Sequence, residues 1–307
     1  DKTMPITLES QPAEKFTTEA LVTYVFESGD KDRRTPVDGV VAELDRATGG
    51  TLARLAASGE LTGKALEMTL VHFAPGLAAQ RLLVVGAGKR EKFGTADLRR
   101  LASAALRHLK SRSVKRLAFL ARESERGAAA AEAVTEGLLL GNFEGDTYKT
   151  DKKNGPLEAA ALLGFDAAAS AGVDRGRIIA EAQNFTRSLG NEPSNLLTPR
   201  LLAERAQAMA REAGLAVEIL DEKRLAELKM GALLGVASGS AEPPRMIVIT
   251  YTPANPKPGA PVLALVGKAV TFDTGGISIK PANDMEKMKF DMAGGAAMLG
   301  VMRVLAQ

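Results

Sequence analysis

The chain has 307 residues, of which 45% are hydrophobic and 25% charged, as is usual for a globular protein of one large domain or two ordinary ones. Its net charge of +3 comes without a basic cluster, which argues against a dedicated nucleic-acid binder. Cysteine is absent, so disulfides, thiol catalysis and thiolate metal sites are excluded. No apolar run approaches the ~18 residues of a membrane helix, and the start at Asp1-Lys2-Thr3-Met4 lacks a signal-peptide pattern. We therefore expect a cytoplasmic protein with no membrane partner.

The first half alternates strand-like with helix-like segments, which is typical of an α/β domain. Apolar residues at helical spacing predict one helix over 97–110, and an Ala-rich run predicts a second over 125–140. The predicted strands are 21–26, 68–73, 81–85 and 117–120.

A polar stretch over 142–156 is the best candidate for a domain boundary, because few of its residues are apolar. We therefore predict an N-terminal α/β domain over 1–150, a linker region over 151–174 and a second α/β domain from 175 to 307.

The second half again mixes helices and strands. Thr198 is predicted to cap a helix that begins at Pro199 and ends at Gly214. The apolar runs 246–251 and 261–266 are predicted to be buried central strands. The other predicted elements are helices over 175–189 and 294–305, a strand over 215–220, and loops over 191–195 and 235–244.

Several residues outside the main motif have ordinary structural explanations. His72 and His108 are not spaced as a ligand pair, so we predict a structural role for His72 and a surface or boundary position for His108. The Gly86-Ala-Gly88 run lacks the third glycine of a dinucleotide fingerprint and is predicted to be a plain turn. Ser238 lacks the nucleophile-elbow pattern.

Residues 266–295 are the segment that points to chemistry. Lys268 and Asp273 are expected near the C-terminal end of a buried strand, Lys280 follows Gly275-Gly276, and Asp291 precedes a helix. Lysines and aspartates that converge on one loop suit a site for a hard divalent cation without histidine. The alternative is a solvated surface with a salt bridge or two, which is our prediction for the neighbouring residues Asp284, Glu286, Lys287 and Lys289.

The same segment resembles the leucine aminopeptidase (cytosol aminopeptidase) family. The run Thr271-Phe-Asp-Thr-Gly-Gly-Ile-Ser-Ile-Lys-Pro281 is similar to that family's signature, and its length makes a chance match negligible. Asn191-Glu-Pro-Ser-Asn-Leu-Leu-Thr-Pro199 and Met230-Gly-Ala-Leu-Leu-Gly-Val-Ala-Ser-Gly-Ser240 are similar to further family segments. Gly86-Ala-Gly-Lys-Arg-Glu-Lys-Phe93 is a weaker similarity, so the resemblance spans the chain but is strong from about residue 184 onward.

The resemblance implies an N-terminal macro-domain-like α/β module, a C-terminal α/β catalytic domain with a mixed central sheet, and a homo-hexamer. It also implies two divalent metal ions, zinc or manganese, with bicarbonate as a candidate further cofactor. Lys268, Asp273 and Asp291 would be metal ligands, with Asp273 between both ions. Lys280 would be the catalytic lysine that polarises the scissile carbonyl, and Met288 would line the pocket for the first side chain of the substrate.

This sequence departs from the family pattern in two ways. Ala269 and Thr274 stand where the family usually has Gly and Ser, and both changes are small. The family's later Asn-Thr-Asp-Ala-Glu-Gly-Arg motif is absent from the 307 residues. Further metal ligands and a catalytic arginine are therefore expected beyond Gln307, and the 307-residue chain by itself is expected to be inactive.

We predict a metal-dependent aminopeptidase that removes leucine and similar N-terminal residues from peptides by a two-metal activated water. One alternative is a binding protein that uses the macro-like domain for a nucleotide or nucleic acid, although the net charge lends this little support. The other is an inactive, truncated structural subunit. The presence or absence of the missing motif in the gene separates these three.

Overall fold

The computed structural model describes residues 3–29, 35–152 and 155–307. They form two compact units. The division between the units falls between Glu181 and Ala182, inside the long helix Ala169–Asn191. Asp1 and Lys2, in the start predicted to lack a signal peptide, lie outside the described residues, and so do residues 153–154 of the polar stretch.

In the described part of the first unit, six strands form one sheet in the order β1-β6-β5-β2-β4-β3. Neighbouring strands are parallel except for β3, which runs antiparallel to β4 at one edge. The strands are β1 Ile6–Glu9, β2 Ala20–Val25, β3 Met68–His72, β4 Arg81–Gly86, β5 Arg116–Leu120 and β6 Ala159–Leu163.

Helices cover both faces of this sheet, because successive side chains of a buried strand point to opposite faces. Val22 and its face of the sheet pack against α3 and α4, whereas Leu21 and the opposite face pack against α1 and α2. The helices are α1 Gly39–Ala47, α2 Thr51–Ser58, α3 Thr95–Lys110, α4 Ala128–Asn142 and α5 Ala169–Asn191, with short 3-10 turns at Ala13–Lys15 and Arg90–Lys92.

The second unit has a smaller sheet, in which β7 and β8 pair antiparallel. One face of this pair packs against α6 and α9 around Leu202, Met209 and Leu299. The elements are α6 Pro199–Glu212, β7 Ala216–Leu220, α7 Glu222–Glu227, α8 Gly231–Ala237, β8 Met246–Thr250, a 3-10 helix Met285–Met292 and α9 Ala293–Leu305.

The predicted α/β class is confirmed, as are most of the predicted elements. Thr198 accepts a hydrogen bond from the backbone N–H of Leu201, and Pro199 begins α6 as predicted. The segment 151–174, predicted to be a linker, contains β6 and the start of α5. The strands β1 and β6 and the helices α1, α2, α7 and α8 were not predicted.

The predicted strand over 261–266 is wrong. These residues have no regular secondary structure, and Val262 is 95% exposed. The run 246–251 does contain a strand, but β8 is half-buried and pairs with β7 alone among the described residues. An apolar run becomes a buried strand only where neighbouring strands satisfy its backbone groups. Within residues 3–29, 35–152 and 155–307, no helix combines the length and the apolar character needed to cross a membrane.

Candidate active site

Glycines allow the extended segment that carries Lys268 to cross the beginning of α9 at close range. A Cβ atom on Gly267 would overlap the carbonyl oxygen of Gly294. The backbone N–H of Gly295 donates to the carbonyl oxygen of Lys268, so the crossing is closed by a hydrogen bond. Because Asp291 lies one turn before this point, the crossing brings the Lys268 side chain to Asp291.

The first of two lysine–aspartate pairs joins Lys268 Nζ to Asp291 Oδ1 at 2.9 Å. The hydrogen bond to Asp291 raises the pKa of the Lys268 ammonium, so this lysine is protonated here. The Asp291 side chain is 20% exposed, and its second oxygen, Oδ2, is buried without a hydrogen-bond partner among the described residues. A buried carboxylate oxygen without a partner is a strong acceptor that a cation could satisfy.

The second pair is held by the glycine loop that follows Asp273. Lys280 Nζ lies 2.7 Å from Asp273 Oδ2 and 3.3 Å from the Asp273 carbonyl oxygen. Asp273 Oδ1 accepts a hydrogen bond of 2.8 Å from the backbone N–H of Gly275, whose φ of 92° lies in the region that favours glycine. The lysine bond and then the Gly275 bond lower the pKa of the Asp273 carboxyl.

The two pairs form one electrostatic cluster. The charge of Lys268 contributes to the lowered pKa of Asp273, and the charge of Asp273 contributes to the raised pKa of Lys268. The structure therefore pairs Lys268 with Asp291 and Lys280 with Asp273, and the two pairs lie within electrostatic range of each other. Their assignment as metal ligands and catalytic lysine stays a prediction.

The donor atoms of this cluster suit a divalent cation. The Asp273 and Asp291 carboxylates are hard oxygen donors, and the two ammonium groups now supply the positive charge that a cation would bring. A nearby dication lowers the pKa of a lysine, so the Lys268 amine could become a further ligand. Within the described ranges no group of three or more His, Asp or Glu residues lies close enough together to hold a metal ion by itself.

Met288 lies half-buried on the 3-10 helix Met285–Met292, one turn before Asp291. The solvated face predicted on this segment is present at Asp284 and Lys287, which pair with each other at 2.8 Å in solvent, and at the exposed Glu286. For Lys289 the prediction of a solvated residue is wrong. It is half-buried, and its Nζ donates to the carbonyl oxygen of Asn191 at 3.2 Å.

The other residues singled out in the sequence have structural roles. In the run Gly86-Ala-Gly88, predicted to be a plain turn, Gly86 is instead the last residue of β4, and the backbone N–H of Gly88 donates to the carbonyl oxygen of Gly63. The Ser238 hydroxyl donates to the carbonyl oxygen of Gly235 at the end of α8. The loop predicted over 235–244 therefore begins only after Ala237.

His108 occupies a boundary position, as predicted, whereas the structural role of His72 stays a prediction. His72 ends β3 in an exposed position. His108 is a boundary residue of α3, half-buried, with its Nε2 atom buried and without a partner among the described residues. Burial, and then the nearby Arg112 charge, lower the pKa of His108.

Sequence reasoning missed an ionic network at the ends of β2 and β5 in the first unit. Arg122 is buried, donates to the carbonyl oxygen of Tyr24 at 3.0 Å, and forms an ion pair with Asp38. The Tyr24 hydroxyl donates to Glu125 at 2.8 Å, and burial raises the pKa of that tyrosine. These charges come directly after a buried strand, which is the sequence signal that could have located them. The groups of this network form ion pairs and hydrogen bonds with one another at the ends of β2 and β5.

Both halves of the chain match models of one family. Residues 184–307 match the catalytic domain of the cytosol aminopeptidase family, and residues 22–152 match the N-terminal domain of the same family. The chain belongs to the cytosol aminopeptidase family.

Individual relatives carry the same family name. The chain is 52% identical over 304 residues to a probable cytosol aminopeptidase of Solibacter usitatus, covering 99% of this chain and 60% of that protein. It is 43% identical over 274 residues to the cytosol aminopeptidase of Pseudomonas aeruginosa PAO1, covering 86% of this chain and 55% of that protein. The chain thus spans about 60% of the length of the curated relatives that it matches.

Solved structures give a similar result. A variant of tomato leucine aminopeptidase superimposes with a TM-score of 0.83 at 26% identity, covering 99% of this chain and 59% of the other. The bottromycin maturation enzyme BotP in complex with Mn superimposes with a TM-score of 0.73 at 28% identity, covering 94% of this chain and 56% of the other.

Proposed function

We propose that this chain belongs to a metal-dependent aminopeptidase that hydrolyses N-terminal residues, leucine and similar ones, from peptides. The observation that carries the proposal is the cluster of Lys268, Asp273, Lys280 and Asp291, which the second unit assembles in a protein of this family. Related proteins named cytosol aminopeptidases support the peptide substrate and a cytoplasmic location.

Lys268, Asp273 and Asp291 are the residues that would hold two divalent ions, zinc or manganese, with Asp273 between them. The buried, unpartnered Oδ2 atom of Asp291 supports this role, and so does the Mn in the related BotP structure. When bound, such ions supply Lewis acidity and lower the pKa of a water molecule to near neutrality. The remaining ligands, and an arginine that would hold bicarbonate, are proposed to lie outside these 307 residues.

Lys280 would stabilise the negative charge that develops on the scissile carbonyl oxygen. In the structure its ammonium group is held by the Asp273 carboxylate and carbonyl oxygen. Asp273 would hold an ion whose charge would compensate that carboxylate, and the Lys280 ammonium would donate to a substrate oxygen. A charged donor that is already in place at the oxyanion typically contributes about 10²–10³ in rate.

Met288 and the site for the free amino terminus would determine which peptides are cleaved. Met288 offers a half-buried apolar surface one helical turn from Asp291, and would contact the first side chain of the substrate. A free amino terminus bound beside the carboxylates would restrict cleavage to one residue at a time. The proposed assembly is a homo-hexamer, the form implied by the family resemblance.

The test is metal dependence of peptide hydrolysis by the natural gene product. We expect release of leucine from leucyl peptides, loss of turnover after exhaustive chelation, and recovery on addition of Mn²⁺ or Zn²⁺. Asp284→Asn is a matched control, because it removes an exposed carboxylate of the same segment and should leave turnover unchanged. Undiminished turnover in the metal-free protein would exclude the proposed mechanism.

A further inference from the structure

The 3-10 helix Met285–Met292 decides where Met288 and Asp291 lie, because it carries both residues. A 3-10 helix has poorer internal hydrogen-bond geometry than an α-helix, and runs longer than three or four residues are uncommon. This one extends over eight residues, and the residue directly before it, Asp284, is a non-glycine residue with a φ of 64°. Its position therefore depends on contacts with the rest of the unit.

Lys289 makes the contact that joins this helix to α5. Its Nζ atom donates to the carbonyl oxygen of Asn191, the last residue of α5, at 3.2 Å. The terminal carbonyl groups of an α-helix lack partners within the helix and carry partial negative charge. An ammonium group at this end is thus favoured both as a hydrogen-bond donor and as a charge.

The residues around the acceptor of this hydrogen bond, the Asn191 carbonyl oxygen, are held in place by further contacts. The next residue, Glu192, is 6% exposed and binds Arg205 of α6 through both of its carboxylate oxygens. The Asn191 side chain donates to the carbonyl oxygen of Arg187, one turn earlier, at 2.9 Å. The Asn191 carbonyl oxygen is therefore a rigid point on the α5–α6 connection, against which a side chain can position another element.

A second contact lies at the same place. The Phe290 ring lies 4.9 Å from Lys289 Nζ, within the range of a cation–π interaction. The same ring faces Gly190, where a Cβ would make ordinary van der Waals contact at 3.6 Å. Phe290 thus lies beside the end of α5 that Lys289 contacts, directly before Asp291.

We propose that Lys289 is a positioning residue, which holds the 3-10 helix against the C-terminal end of α5 and thereby fixes Asp291 and Met288. The proposal rests on the proposed function in so far as Asp291 is taken to be a metal ligand. Lys289 itself contacts neither metal nor substrate; it acts through the helix. No other contact of its ammonium group is needed for this role.

The experiment compares Lys289→Met, Lys289→Arg and Lys287→Met in the natural gene product. Lys287 is the matched control, because it lies on the same helix but pairs only with the exposed Asp284 in its own turn. Mn²⁺ affinity is measured by calorimetry, and hydrogen exchange is measured for the amides of 285–292, with those of α6 as an internal reference for folding. Arginine retains a charged donor and should restore the contact.

We expect Lys289→Met to weaken Mn²⁺ binding about 10-fold, the scale of lost outer contacts around metal ligands, and to speed exchange over 285–292. Lys289→Arg and Lys287→Met should stay close to the unsubstituted protein. Unchanged Mn²⁺ affinity in Lys289→Met would overturn the proposal, and so would weakened affinity without faster exchange, since the helix would then have kept its place.

The two proposals can fail separately. If the unsubstituted protein binds no Mn²⁺, the proposed function fails, and hydrogen exchange alone decides the role of Lys289. Faster exchange over 285–292 in Lys289→Met but not in Lys287→Met would then support positioning of the helix. Equal exchange in the two variants would overturn it.

Discussion

The two units use their charged residues in different ways. In the first unit Arg122 is 2% exposed and its guanidinium group is bound to a backbone carbonyl and to Asp38. In the second unit Lys268 is 59% exposed and its ammonium group lies on a single carboxylate, that of Asp291. Arg122 and its partners hold strand ends and loops together, whereas the Lys268 ammonium group remains accessible to a ligand.

The two sheets also differ in how far the apolar residues in and beside them are buried. The described sheet of the first unit has six strands with both faces covered, so its apolar side chains are buried. The described sheet of the second unit has two strands, and the apolar segment 261–266 next to the site is exposed. Lys268, Asp273 and Lys280 lie on backbone without regular secondary structure, held by a glycine crossing and by ion pairs, whereas Asp291 lies on a 3-10 helix.

The largest expected effect concerns the 307-residue chain expressed by itself. It carries three of the expected protein ligands, Lys268, Asp273 and Asp291, and two of them are paired with lysines. We therefore expect no aminopeptidase turnover, weak metal binding and self-association through the exposed apolar residues around Val262. Activity assays, calorimetry and sedimentation check this. Two tight metal sites, or measurable turnover, would contradict it.

The next prediction separates the two members of one ion pair in the natural gene product. Lys280→Ala should lower kcat about 10²–10³-fold, roughly 3–4 kcal/mol, with little loss of metal. Asp273→Asn should lose metal, because it removes a carboxylate ligand. Metal analysis and steady-state kinetics on both variants provide the measurement. An empty metal site in Lys280→Ala, with both metals retained in Asp273→Asn, would show that the two roles are wrong.

A third prediction tests whether the charges of the two units differ in their contribution to stability. Arg122→Met removes a buried guanidinium and leaves the Tyr24 carbonyl oxygen without its donor, so we expect a loss of about 3 kcal/mol in the free energy of unfolding. Lys268→Met removes an exposed ammonium group but leaves the Asp291 carboxylate, which is 20% exposed, without its partner, so we expect a smaller loss than in Arg122→Met in the metal-free protein. Urea unfolding of both variants measures the difference. Equal losses would remove the distinction between the units.

The smallest expected effect is the pH dependence contributed by His108. Its pKa in the folded protein lies below its usual value of 6.5, so the unfolded chain takes up the proton first as the pH falls. The stability that comes from the neutral histidine is present above about pH 6.5 and is lost as the pH drops through the folded pKa. His108→Gln should flatten the stability curve below pH 6.5. The same slope in both proteins would show that other groups cause it.

Periodicity predicted part of the first unit. The apolar spacing of 97–110 predicted α3 to within two residues, because one face of that helix packs on a sheet that the described residues provide. Periodicity failed at 261–266, where the apolar composition was correct for a strand but no described strand pairs with it. It also failed to predict β1 and β6, short strands whose pairing comes from each other and from β5.

The sequence by itself determined the family, because the long run of residue types around Asp273 and Lys280 is specific to one family and needs no coordinates to be recognised. The tertiary structure decided which charges meet. Lys268 and Asp291 are joined because glycines let two backbone segments cross, and Lys289 leaves the solvated face because the end of α5 presents a carbonyl oxygen to it. Such contacts depend on distances between segments far apart in the chain, and residue type and local spacing do not encode those distances.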